Sequence, residues 1–144
     1  MTQHVIEILL VEDDPDDADL TMRALREFNL ANHIELVADG AAALDFLFSK
    51  GAYATRDSTV PKVVLLDLKL PKVNGLEVLR EIKSDARTRN VPVVMLTSSN
   101  QDRDLKEAYR LGVNSYIVKP VDLKQFIEAA RQIGLYWLLL NETP

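Results

Sequence analysis

The chain contains no cysteine and only two histidines, His4 and His33. The first absence removes a disulfide scaffold, a thiolate nucleophile and cysteine-ligated zinc or iron–sulfur. The second leaves too few imidazoles for a multi-histidine metal cage. Long hydrophobic runs are also missing. The longest, Leu135–Leu140, is short against the roughly 20 residues that span a bilayer. The start, Met1 to Leu10, has neither the basic opening nor the apolar stretch of a signal peptide. Nor is there an excess of positive charge. With 17 Lys and Arg against 22 Asp and Glu, the net charge is −5, and nucleic-acid affinity rests mostly on Lys and Arg meeting phosphates. The expectation is a cytoplasmic chain that engages neither nucleic acid nor membrane.

What is present fits a folded α/β unit. The 144 residues, 47% of them hydrophobic and 27% charged, suit a single domain spanning 1–144 with a full core of its own. Five short runs rich in Val, Ile and Leu recur: Ile6–Val11, Ile34–Val37, Val63–Leu66, Val93–Leu96 and Tyr116–Val118. They show little polar alternation, the mark of strands covered on both faces. Between them lie stripes of helical period: Leu20, Ala24, Leu25 and Phe28; Ala43, Leu44, Leu47 and Phe48; Val78, Leu79 and Ile82; Leu105, Ala108, Tyr109 and Gly112. A last helix is expected from about Asp122, as N-cap, to about Leu140. Five strands alternating with five helices read as a parallel sheet wrapped on both sides. Ser49–Pro61 reads as a long solvated connection.

In open α/β sheets, sites form outside the carboxyl ends of the strands. The residues just past four of the runs are polar: Glu12-Asp13-Asp14, Asp67, Thr97-Ser98-Ser99 and Lys119-Pro120. Right-handed crossovers bring them to one edge of the sheet. Carboxylates about 4 Å apart repel by about 4 kcal/mol at an effective dielectric near 20, so such a group calls for a cation. Oxygen donors without His or Cys favour Mg²⁺, which takes one or two carboxylates and keeps several waters. A metal beside Asp67 would draw in a phosphodonor. Asp67 could then attack in line to give an aspartyl phosphate, with Thr97 and Lys119 donating to the phosphoryl oxygens. Taken singly, each residue has a plainer role as a turn, cap or surface group. Asp16, Asp17 and Asp19 read as solvated charges of a first helical turn. The matching of four strand ends is what argues for a site.

These residues resemble the receiver domains of two-component response regulators. The resemblance rests on Ile8-Leu9-Leu10-Val11-Glu12-Asp13-Asp14, on Leu65-Leu66-Asp67-Leu68-Lys69-Leu70-Pro71 with Gly75, on Leu96-Thr97-Ser98 and on Tyr116-Ile117-Val118-Lys119-Pro120. It covers about residues 5–133. It implies a five-stranded parallel doubly wound sheet of flavodoxin-like order 2-1-3-4-5 with five helices. It also implies a role for each matched position. Asp67 resembles the phosphoacceptor, Asp13 the direct Mg²⁺ ligand and Glu12 a ligand through water, with the backbone carbonyl of Lys69 completing the metal set. Thr97 and Lys119 resemble the phosphoryl-binding pair, and Tyr116 the aromatic that turns inward when Thr97 moves. Lys119-Pro120 is similar to the family's cis peptide. Lys69 and Ser99 match variable positions that tune dephosphorylation. The implied partner is a sensor histidine kinase. The Ser49–Pro61 connection and Gly134–Leu140 further resemble stand-alone regulators of bacterial phytochrome kinases.

The last helix adds one expectation. At 100° per residue, Phe126, Ile127, Ala130, Ile133 and Trp137 share a face. The opposite side turns from polar to apolar at Leu135 and Leu139, with Tyr136 between. That surface suggests a homodimer through Leu135, Tyr136 and Leu139, beside the fourth helix and fifth strand. Output would then pass by protein contact or onward phosphotransfer, because no output domain follows. Three other readings compete with this switch. An Mg²⁺-dependent aspartyl-phosphate phosphatase would want an acid two residues past its nucleophile, where Lys69 stands. A flavodoxin-like FMN binder would want hydroxyls and glycines where Glu12-Asp13-Asp14 stand. A pseudo-receiver would lack part of the acidic, hydroxyl and lysine set.

Overall fold

A computed structural model describes residues 8–26, 34–56, 59–71 and 73–134. The apolar runs became strands, and the three inner ones are buried on both faces; the edge run Ile34–Val37 is not, since Leu36 is 44% exposed where only one neighbouring strand covers it. In β1 (Ile8–Val11), Ile8 and Leu10 face one cluster and Leu9 and Val11 the other. The same alternation sends Val63 and Leu65 of β3 (Val63–Asp67) to the first side, and Val64 and Leu66 to the second. Successive side chains of a strand point oppositely, so a strand covered on both faces must be apolar throughout. β2 (Ile34–Val37), β4 (Val93–Thr97) and β5 (Ser115–Val118) complete a parallel sheet in the order β2-β1-β3-β4-β5.

α1 (Pro15–Arg26) and α5 (Leu123–Gln132) cover the Ile8 side, through Leu25, Phe126 and Ala129. α2 (Gly40–Leu47), α3 (Gly75–Ser84) and α4 (Arg103–Arg110) cover the other, through Phe46, Val78, Ile82 and Leu105. Capping side chains start the helices where the sequence supplies them: Asp39 accepts from the Ala42 N–H, Asn74 from Glu77, Asp102 from Asp104 and Asp122 from Gln125. None of the described helices is long and apolar enough to cross a membrane.

Four expectations need correction. Leu20 is 43% exposed, because α1 buries the stripe Ala18, Thr21 and Leu25 instead. Tyr109 is 48% exposed, lying beyond the buried Leu105 and Ala108 face of α4. The connection after α2 is more than a solvated loop. Residues Gly51–Tyr53 form a 3-10 turn. Tyr53 meets the Phe46 ring edge-on at 5.2 Å. The Arg56 guanidinium lies 3.8 Å from that ring's centroid and donates to the Phe46 and Thr59 carbonyls. Finally, α5 closes at Gln132, followed by Gly134 at φ +80°. That left-handed backbone suits glycine and ends a helix, so the expected run to about 140 is interrupted there. Leu135, Tyr136, Trp137 and Leu139 lie outside the described residues, as do Phe28, His4 and His33.

Candidate functional site

The strand ends do converge. Each of the key residues is held by the ladder itself or by its first step beyond. Glu12 N–H donates to the Val37 carbonyl at 3.0 Å, Leu68 N–H to Leu96 at 2.9 Å and Lys119 N–H to Thr97 at 2.8 Å. Asp67 is the last residue of the central strand β3, opposite Leu96. Together with Asp13, Asp14, Asp17, Lys69 and Ser98, the side chains of Glu12, Asp67 and Lys119 line an open cleft of about 270 Å³.

Inside the cleft, the Lys119 ammonium donates to Asp17 Oδ2 at 3.0 Å, Asp67 Oδ2 at 3.1 Å and Glu12 Oε1 at 3.4 Å. The other oxygen of Asp67 accepts from the Lys69 N–H at 3.1 Å. The other oxygen of Glu12 accepts from the Asp14 N–H at 3.2 Å. Glu12, Asp13 and Asp67 each offer a carboxylate oxygen, and these oxygens lie within 4.8 Å of one another. Glu12 and Asp67 are buried and Asp13 is exposed, so the cluster opens to solvent on one side. A purely carboxylate donor set of this kind fits a hard divalent cation and offers nothing to a soft one.

Burial and crowding of like charge set the electrostatics of the cleft. Burial, the hydrogen bond to Asp67 and the charge of Asp67 push the Glu12 carboxyl up to about 8, against the Asp14 N–H and the Lys119 ammonium, which pull it down. For Lys119, burial alone would lower the ammonium. The hydrogen bond to Asp17 and the charges of Asp67 and Glu12 outweigh it and leave the group raised.

Other anticipated residues sit at the site's margin. Thr97 is buried, and its hydroxyl donates to the Ser99 carbonyl at 3.0 Å while accepting from the Ser99 N–H at 3.3 Å. Ser98, not Thr97, lines the cleft. The Lys69 side chain points away, pairing with Asp104 at 3.1 Å and Asp102 at 3.8 Å at the start of α4. Tyr116 is half-buried and meets Tyr109 edge-on at 6.4 Å. The two rings line both of the adjoining grooves along α4 and α5. The Lys119-Pro120 peptide is cis. Asp14 caps α1, accepting from the Asp16 and Asp17 N–H groups.

Asp17 is the residue that sequence reasoning missed. Its place in the first turn of a helix groups it with Asp16 and Asp19 as solvated. The latter two are exposed, and Asp19 pairs with Arg23 along the helix. The available signal was spacing. With α1 beginning at Pro15, residue 17 stands about a turn from the buried Thr21 and so leans toward the sheet.

Comparison with known proteins identifies the family and the fold. The model of the response regulator receiver domain matches residues 8–131. A solved structure of the bacteriophytochrome response regulator AtBRR is 51% identical, covers 97% of this chain and all of its own, and superposes with a TM-score of 0.86. The Mn²⁺-bound form of response regulator Rcp1, a protein of Synechocystis sp., is 38% identical over 95% of this chain and 97% of its own, with a TM-score of 0.74. The probable methanogenesis regulatory protein FilR2 of Methanothrix harundinacea is 44% identical, over 95% of this chain and 86% of its length.

Proposed function

This chain belongs to the response regulator receiver-domain family, and from that premise we propose that Asp67 accepts a phosphoryl group from the phosphohistidine of a sensor histidine kinase in the presence of Mg²⁺. The supporting observation is the setting of Asp67. One of its oxygens accepts from the Lys119 ammonium inside the acidic cleft, and the same carboxylate shares a cation-sized cluster with Glu12 and Asp13.

On this reading an Asp67 oxygen attacks phosphorus in line. The new O–P bond forms as the P–N bond breaks, and the imidazole leaves with the electron pair, keeping the proton on its other nitrogen. Asp13 and Asp67, with Glu12 through water and the Lys69 carbonyl, would hold the metal. When bound, Mg²⁺ withdraws charge from the phosphoryl oxygens and offsets the repulsion among the carboxylates. Lys119 turns an N–H toward a phosphoryl oxygen. The Thr97 hydroxyl leaves the Ser99 carbonyl to donate to another. Tyr116 then follows Thr97 inward, which alters the surface it shares with Tyr109.

The likeness to AtBRR suggests a bacteriophytochrome kinase as donor. A single receiver domain acting in the cytoplasm, and a homodimer through Leu135, Tyr136 and Leu139, complete the reading. The phosphatase alternative loses ground because the position two residues past Asp67 holds Lys69, a cation tied up with Asp102 and Asp104, where a general acid would be wanted. The FMN alternative loses ground because the first loop presents carboxylates to the cleft.

Incubation with Mg²⁺ and phosphoramidate, followed by intact-mass measurement, tests the central step. Wild type should gain one phosphoryl group. Asp67→Asn, or wild type in EDTA, should gain none. Uptake by Asp67→Asn equal to wild type would place the acceptor elsewhere.

A further inference from the structure

We infer that Asp17 is a positioning residue: it holds the Lys119 ammonium in the resting site and must release it before a phosphoryl group on residue 67 can be bound. The inference rests on the phosphoacceptor reading above and concerns a contact which that reading does not use.

An ammonium has three N–H donors, and here three carboxylates take them: Asp17 at 3.0 Å, Asp67 at 3.1 Å and Glu12 at 3.4 Å. No donor is left over. A phosphoryl group brings extra negative charge and fresh acceptor oxygens, so Lys119 must give up a partner to reach it. Burial decides which. The Glu12 side chain is fully covered and that of Asp67 is 5% exposed. Glu12 could not exchange the lysine for water there, and Asp67 carries the phosphoryl group itself, so Lys119 stays beside both. The Asp17 side chain is 31% exposed, so water can take the place of the lysine. Asp17 is therefore the exchangeable partner.

Its backbone is not free to follow. Pro15 opens α1, and Asp14 caps it by accepting from the Asp16 and Asp17 N–H groups at 2.8 and 3.3 Å. Asp17 thus presents its carboxylate from a fixed helical turn, and Lys119 makes the move. A partner that binds Lys119 in the resting state and loses it in the loaded state slows loading. It stabilises the starting state without stabilising the transition state. Loss of the contact should speed phosphoryl uptake by about fivefold, the scale of a partly exposed ion pair.

The test compares phosphoramidate uptake at saturating Mg²⁺ in wild type, Asp17→Asn, Asp17→Glu and Asp16→Asn. Asp16→Asn removes the same charge from the same helical turn without touching Lys119. Each rate is taken at about 0.05 and 0.5 M salt, because long-range repulsion of the donor is screened over that range while a direct contact is screened much less. Asp17→Asn should be faster at both salts, Asp16→Asn should match wild type at high salt, and Asp17→Glu should return the rate toward wild type. In the unphosphorylated protein, the Lys119 ammonium nitrogen resonance should shift in Asp17→Asn and stay in place in Asp16→Asn. A helix-charge role alone would lower the melting temperature in both Asn variants and leave the resonance and the high-salt rates unchanged, which would overturn the inference. Equal acceleration in the two Asn variants would overturn it too. Failure of wild type to take up any phosphoryl group would instead remove the underlying reading, and the inference with it.

Discussion

Glu12 shows how one side chain can report the state of a site. Its carboxyl is ordinarily near 4.5 and stands at about 8 here, first because it is buried. The folded chain therefore binds a proton that the unfolded chain has released across that window. Linkage then makes folding stability fall as pH rises from about 4.5 to about 8. Below the window this cost is absent, and above it the cost is complete. In EDTA, the urea midpoint of wild type should decline between pH 5.5 and 8.5 more steeply than that of Glu12→Gln. On the metal reading proposed above, saturating Mg²⁺ should flatten the wild-type curve. Equal slopes for the two proteins in EDTA would refute the assignment. Gly75 makes a second residue-scale case. A Cβ there would stand 2.4 Å from the Asp67 carbonyl oxygen and 2.8 Å from that of Leu68, so α3 begins pressed against the backbone of the acceptor strand. Gly75→Ala should cost about 1–3 kcal/mol through overpacking, measured by chemical denaturation. Because the displaced atoms belong to Asp67, phosphoryl uptake should fall even under conditions where the variant remains folded.

At the scale of elements, α5 holds the strand that carries Lys119. The Gln125 side chain accepts from the Val118 N–H at 3.1 Å and donates to the Pro120 carbonyl at 3.0 Å, bracketing residue 119 from both sides. Asp122, by contrast, caps the same helix by accepting from the Gln125 N–H. The two should separate experimentally. Asp122→Ala should lose about 1 kcal/mol of stability with uptake close to wild type. Gln125→Ala should slow uptake at a similar or smaller stability loss, because Lys119 loses its bracket. Denaturation curves beside phosphoramidate kinetics would check both.

The five strands were legible at this scale because apolar continuity is a local signal. β2 was read to the residue, and β3 and β4 run one residue further, onto Asp67 and Thr97. Those extra residues are polar, so composition could not include them, yet the ladder does. The helical faces were read less well. Leu20 and Tyr109 looked like core by spacing, but which stripe is buried depends on how a helix is rolled against the sheet, and that is tertiary information. The Arg56 stack on Phe46 was invisible for a related reason, since it joins residues ten apart through a turn that no pattern announced.

For the whole molecule, what the sequence made plain was the class of chemistry, and what it concealed was how the charges are shared. Glu12, Asp13, Asp67 and Lys119 meet where the alternation of strands and helices requires. That Lys119 serves three acids, one of them Asp17 across more than a hundred residues of chain, follows only from the assembled sheet. Assembly beyond the single chain is tested by sedimentation. A homodimer through Leu135, Tyr136 and Leu139 should dissociate on Leu139→Asp, whereas a monomer at tens of micromolar in wild type, with and without phosphorylation, would refute it.

Asp67 closes a strand clasped by β1 on one flank and β4 on the other. On the phosphoacceptor reading proposed above, Asp67 would act as an anvil that takes the blow and does not travel. Any rearrangement on loading must be absorbed by the turns around it. Grafting the 98–102 and 69–74 turns from a distant relative should therefore retune the lifetime of the loaded state while leaving the point of attachment where it is.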